Sequence, residues 1–150
     1  MHHLKRLTSR GDTIVEVMVV LAVLGLALSI AYATANRSLM GARQAQENSE
    51  ATALAQSQIE QLRANVKITD TSAPTYIFRS GDFCMKDGAV VPYSGPSVPP
   101  SCVFKGRYNF RVVYAPRADA QGGKFTVTAT WDNVAGEGQD SVTLAYRLYK

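Results

Sequence analysis

From Ile14 to Ala35 the chain holds almost nothing polar except Glu16, and this one stretch limits what the whole molecule can be. Ile14 to Ala33 alone is 20 residues, which at about 1.5 Å rise per residue matches a hydrocarbon core about 30 Å thick. A helix able to span a bilayer is therefore predicted here. The overall apolar content of 46% hides this, because the rest of the chain alternates apolar and polar residues. Of the 150 residues, those beyond the apolar helix suffice for one modest core and no second sizeable domain.

Charge orients the segment. Lys5, Arg6 and Arg10 precede it and only Arg37 follows closely, which predicts the N-terminus inside and the C-terminus outside. Those three cations also carry most of the net charge of +4, since from Asp12 onward 13 basic side chains face 12 acidic ones. No later cationic run exceeds the leader's, so nucleic acid is not an expected partner on charge alone.

Three readings fit a basic leader followed by an apolar helix. One is a plain signal anchor. Another is a cleaved secretory signal, with Ala31-Tyr32-Ala33 or Ala33-Thr34-Ala35 as a small-x-small site. Against that stand the length of the apolar run, beyond the usual h-region of about 7–15 residues, and a helical pattern that continues past the candidate site. The third reading starts from Glu16. A carboxylate in an apolar span costs about 2.5–3.5 kcal/mol at a helix centre and less near an end, so it calls for a partner or a role. A local role is on offer, because Thr13-Ile14-Val15-Glu16 fits a capping box in which Thr and Glu satisfy backbone N–H groups at the helix start.

The run Gly11, then Asp12-Thr13-Ile14-Val15-Glu16-Val17-Met18-Val19-Val20-Leu21-Ala22-Val23-Leu24-Gly25, resembles the type IV prepilin and pseudopilin signature. The resemblance covers about 25 residues. It implies that a prepilin peptidase removes residues 1–11, cutting after Gly11 so that Asp12 becomes the new N-terminus, and that Glu16 is the assembly glutamate. It implies N-methylation at Asp12 as well, although the family usually has phenylalanine at that place. Gly25 matches a frequent glycine where the helix can loosen, while Ala33 stands where a proline is common. The partners so implied are the peptidase, an assembly platform, the membrane that holds the precursor, and other pilin subunits in a cell-surface or envelope-spanning filament. A major pilin, a minor pilin acting in adhesion or DNA uptake, and a pseudopilin of a type II-like secretion system share this N-terminal logic.

From Asn36 the chain turns polar but stays rich in helix formers, and Ala51, Ala55, Ile59, Leu62 and Val66 recur at the helical period. This stripe is expected to pack on a sheet, with Glu47, Glu50, Glu60 and Arg63 on the solvated side. A helix from about Thr13 to about Asn65 would be about 80 Å long. Residues 12–35 would form its transmembrane and filament-core half, and residues 36–150 an exported head containing helix 36–65, an irregular region 66–106 and a sheet 107–149.

Prolines and glycines punctuate residues 66–106. Cys84 and Cys102 lie in that region with 17 residues between them, a spacing that fits no zinc pattern. In an exported segment they read as one disulfide, worth about 3 kcal/mol for a loop of that size, with two buried thiols as the other reading. Three segments then alternate: Tyr108, Phe110, Val112 and Tyr114; Phe125, Val127, Ala129 and Trp131; Val142, Leu144, Tyr146 and Leu148. The expected fold class is α+β, a long N-terminal helix packed on a three-stranded antiparallel sheet.

Nothing in the head points to catalysis or to a cofactor. A chain starting at Asp12 would have no histidine, and bridged cysteines would leave no thiolate. The acid pairs Asp82 and Asp87, and Asp132 and Glu137, sit in Gly-rich turns, where turn chemistry explains them. For adhesion or DNA uptake the candidate patch is Lys105, Arg107, Arg111 and Arg117, with Arg107 and Arg111 expected on the sheet face opposite the buried one.

Overall fold

The computed structural model of the chain describes residues 12–116, 122–134, 136 and 138–149, with only the backbone of Asp12. A single helix, α1 (Asp12–Ala64), opens it, and its C-terminal end falls within a residue of the limit read from the sequence. Two compact units share this helix, one reaching to Ala42 and one beginning at Arg43.

In the first unit α1 has no apolar stripe. Every described side chain from Thr13 to Ala35 is exposed, including Leu21, Leu28 and Ile30, each more than 60% exposed. A helix apolar on all sides needs a non-aqueous surrounding, and this one is long and apolar enough to cross a membrane.

The second unit is an antiparallel sheet lying on residues 43–64 of α1. Its strands are β1 (Phe83–Lys86), β2 (Ala89–Pro92), β3 (Val103–Phe104), β4 (Tyr108–Pro116), β5 (Gly122–Asp132) and β6 (Gln139–Tyr149). The order is β2-β1-β4-β5-β6, with β3 also paired to β4, so the sheet has six strands rather than the three expected. The expected meander is present as β4, β5 and β6, with Val112 opposite Val127 and Val127 opposite Leu144. The added strands come from residues 66–106, which are therefore not uniformly irregular. They escaped notice because they are four, four and two residues long, too short to show a period. A turn through Asp87 and Gly88, at φ 51° and 79°, joins β1 to β2. Two successive left-handed residues define the type I′ hairpin turn, and Asp-Gly is among its strongest signals.

The apolar faces meet as the alternation predicts. Tyr108, Phe110, Val112, Phe125, Val127, Ala129 and Trp131 are fully buried, as are Ala51, Ala55 and Leu62 of the helix stripe. Ile59 and Val66 are half-buried at its edges. Small residues at 51 and 55 let the helix approach bulky rings, among them the edge-to-face pair Tyr108 and Trp131 at 5.6 Å between centroids. Cys84 on β1 is disulfide-bonded to Cys102 in a 3₁₀ turn (Pro100–Cys102), which excludes the free-thiol reading. The bridge fixes the connection from β1 to β3, both of which pair with β4.

Candidate functional site

The residues singled out at the N-terminus all fall in or next to the first unit. Gly11 lies outside the described residues, and Asp12 opens α1. Thr13 and Glu16 both lie in the first two turns of α1, and the residue before Asp12 lies outside the described residues. The carboxylate stands exposed between Val15 and Val17, which are 61% and 57% exposed. Among the described residues it forms no ion pair within its own chain.

Gly25 lies nine residues further on, about two and a half turns from Glu16 at 3.6 residues per turn, so the two act at separate places on the helix. A Cβ built on Gly25 would meet nothing within 4 Å. Its carbonyl accepts a hydrogen bond from Ser29 Oγ at 2.8 Å, and Thr34 Oγ1 donates to the Ile30 carbonyl at 2.8 Å. Such back-bonding to the residue four earlier satisfies a hydroxyl where water is absent and slightly weakens the helical ladder. The stretch 25–34 therefore combines a helix-weakening glycine with two perturbed carbonyls.

In the second unit the helix carries a second polar row that sequence reasoning placed wrongly. Glu47 is buried, not solvated: its Oε2 accepts from Trp131 Nε1 at 3.2 Å and its Oε1 pairs with Arg107 at 2.6 Å. Glu50 receives Lys105 and, at 2.8 Å, the hydroxyl of Tyr108. The hydrogen bonds from Lys105 and Tyr108 hold the Glu50 carboxyl below the usual carboxylate range. Burial, then the bond to Glu50, pushes the Tyr108 phenol up to about 12. Glu60 and Arg63 remain an exposed pair, as expected. The period itself signalled Glu47, which is four residues before Ala51 and continues the stripe by one turn.

Further along the same face, three amide side chains hold the β1–β2 hairpin by its backbone. Gln58 is 1% exposed; its Nε2 donates to the Met85 carbonyl and its Oε1 accepts from the Met85 N–H, each at 2.8 Å. Asn65 Nδ2 donates to the Gly88 carbonyl at 2.7 Å, and Gln61 Oε1 accepts from the Gly88 N–H at 3.2 Å. The helix thus extends the hydrogen bonding of the sheet through side chains, which fixes the hairpin against α1.

The proposed basic patch is largely neutralised. Lys105 pairs with Glu50 and Arg107 with Glu47, so Arg107, in the turn before β4, reaches toward the helix and not to the opposite sheet face. Arg111 does lie on the outer face, 3.2 Å from Asp82 and stacked 5.1 Å from the Tyr93 ring centroid. Arg117 lies outside the described residues. Of the acid pairs, Asp82 is taken by Arg111, Asp87 forms the hairpin turn, and Asp132 Oδ1 accepts from Gln139 at 3.3 Å. Glu137 lies outside the described residues. Among the described residues no three His, Cys, Asp or Glu side chains are grouped to hold a metal ion.

Comparison with known proteins does not name this arrangement. No protein-family model matches the chain, and neither a curated protein nor a solved structure does.

Proposed function

We propose that the chain is a structural subunit of a type IV pilus or related filament, inserted in the membrane as a precursor and assembled through its apolar helix after residues 1–11 are removed. The observation that carries this reading is Glu16: a carboxylate on a fully exposed apolar helix, with no ion-pair partner among the described residues. A charge so placed is costly in lipid. In a bundle of such helices it is strongly stabilised by one cation and badly destabilised without it.

Cleavage after Gly11 would supply that cation as the α-amine of Asp12. Glu16 of an incoming subunit then pairs with the amine of a neighbour, and the pair sets the axial register while apolar side chains pack around it. Ser29 and Thr34 keep their hydroxyls satisfied within the helix, so neither obstructs that packing. Gly25, with its loosened carbonyl, gives the helix a place to yield as subunits fit together. Lys105, Arg107 and Arg111, three of the four cations of the candidate patch, are paired with carboxylates, which favours a structural role over capture of nucleic acid by that patch.

Glu16→Gln tests the mechanism. The amide keeps size and hydrogen bonding but carries no charge to form an ion pair with the α-ammonium, so membrane insertion should persist while the yield of sheared filaments falls. Filament yield equal to the parent's would sink the amine-pairing mechanism.

A further inference from the structure

Lys124 and Arg147 lie directly opposite each other across β5 and β6, on the outer face of the sheet. Cβ atoms of such cross-strand partners are about 4.5–5.5 Å apart, and like charges so placed destabilise a sheet. By contrast Lys105, Arg107 and Arg111, in and before β4, each have a carboxylate. Lys124 and Arg147 form no ion pair among the described residues. Both are exposed.

The third residue of that row is Ala115, opposite Lys124 on β4. It presents only a methyl group, so the outer face dips there. Gly123 brings β5 close against β4, in a place where a Cβ would overlap the Ala115 carbonyl and the Tyr114 ring. A recess of about 340 Å³ is lined there by Ala115, Pro116, Gly123, Lys124, Arg147 and Tyr149. A recess beside two cations with no ion-pair partner among the described residues is furnished for an anion rather than for an apolar group.

We propose that this recess binds a phosphomonoester dianion. Two cations within reach of one point match a ligand of about −1.5 to −2 charge better than a single carboxylate. The chemistry divides the work: the Arg147 guanidinium offers a planar fork for two phosphate oxygens, and the Lys124 ammonium a compact charge beside them. Bound phosphate also removes the repulsion between the two strands, so occupancy stabilises the β5–β6 pairing.

The test uses the full chain in phosphatidylcholine nanodiscs, with unfolding followed by Trp131 fluorescence. Inorganic phosphate and glycerol 3-phosphate are titrated against chloride at equal ionic strength. Both should raise the unfolding midpoint of the parent and of a Lys86→Gln control, and the Lys124→Gln/Arg147→Gln double variant should bind at least about tenfold more weakly. Without ligand, the double variant should be as stable as the parent or more so, because the repulsion is gone. An equal shift in parent and double variant would mean an adventitious ion only and would overturn the proposal. So would the absence of any shift, or a double variant less stable than the parent without ligand. A second arm replaces part of the phosphatidylcholine with phosphatidate: weakened binding of soluble phosphate then assigns the ligand to a lipid headgroup, and unchanged binding assigns it to a soluble phosphomonoester.

Discussion

Gln58→Ala should be among the most damaging single substitutions in the head. The side chain is 1% exposed and makes two 2.8 Å hydrogen bonds to the backbone of Met85, itself fully buried. Truncation leaves one N–H and one carbonyl of β1 without partners, at about 1–3 kcal/mol for each unmet buried group. Partial relaxation brings the expected loss to about 3 kcal/mol, before any cavity term. At about 4 °C per kcal/mol for a domain of this size, the unfolding midpoint should drop by about 12 °C. Gln58→Glu should be at least as harmful, since it keeps the acceptor but loses the donor and buries a charge. The assay is thermal unfolding of the full chain in detergent, followed by the fluorescence of its single tryptophan, Trp131. Gln56→Ala, at an exposed position one turn-half away, is the control. A midpoint for Gln58→Ala indistinguishable from that of the control would refute the idea that side-chain amides hold the hairpin on α1.

Two further predictions concern the acidic row of the helix. Glu47→Ala removes the acceptor of the Trp131 N–H and the partner of Arg107, and should cost about 2–3 kcal/mol in denaturant unfolding. Glu47→Gln, which can still accept from Trp131, should cost clearly less. For pH dependence, the folded pKa of Glu50 lies below its ordinary value; its contribution is therefore present above the unfolded carboxylate value of about 4.3 and is lost as pH falls through the folded one. Tyr108 titrates in the opposite sense: pushed up to about 12, it contributes fully below the unfolded phenol value of about 10 and loses that contribution as pH rises toward the folded one. A pH series of unfolding midpoints checks both, and Glu50→Gln should flatten the acid limb.

Much of this architecture is legible in the sequence, and the failures have physical causes. The limits of α1 follow from an unbroken apolar run continued by helix formers, and β4 to β6 follow from four alternating apolar residues in each segment. The first three strands are held by context: β1 is bonded to Gln58, tied through Cys84 and paired on β2, and four residues carry too little pattern to announce that. The Asp87-Gly88 dipeptide was the readable signal. Glu47 and Gln58 were missed for another reason. An acid or amide on a helix stripe looks like an interruption, yet both stand in step with Ala51, Ala55 and Leu62, and in the fold they satisfy a tryptophan N–H and a strand backbone. At the N-terminus the sequence offers a capping role for Glu16, and the residue before Asp12 lies outside the described residues. The back-bonds of Ser29 and Thr34 leave no mark in composition or spacing, because the same hydroxyls would be equally at home facing solvent.

The central claim is that the apolar helix belongs to the mature protein and begins at a newly made amine. Intact mass and N-terminal sequencing of the chain recovered from the cell surface test it most directly. A mature protein starting at Asp12 is the predicted result. A start at Thr34 or Asn36 would identify a secretory signal, an intact Met1 a plain anchor, and either would contradict the account.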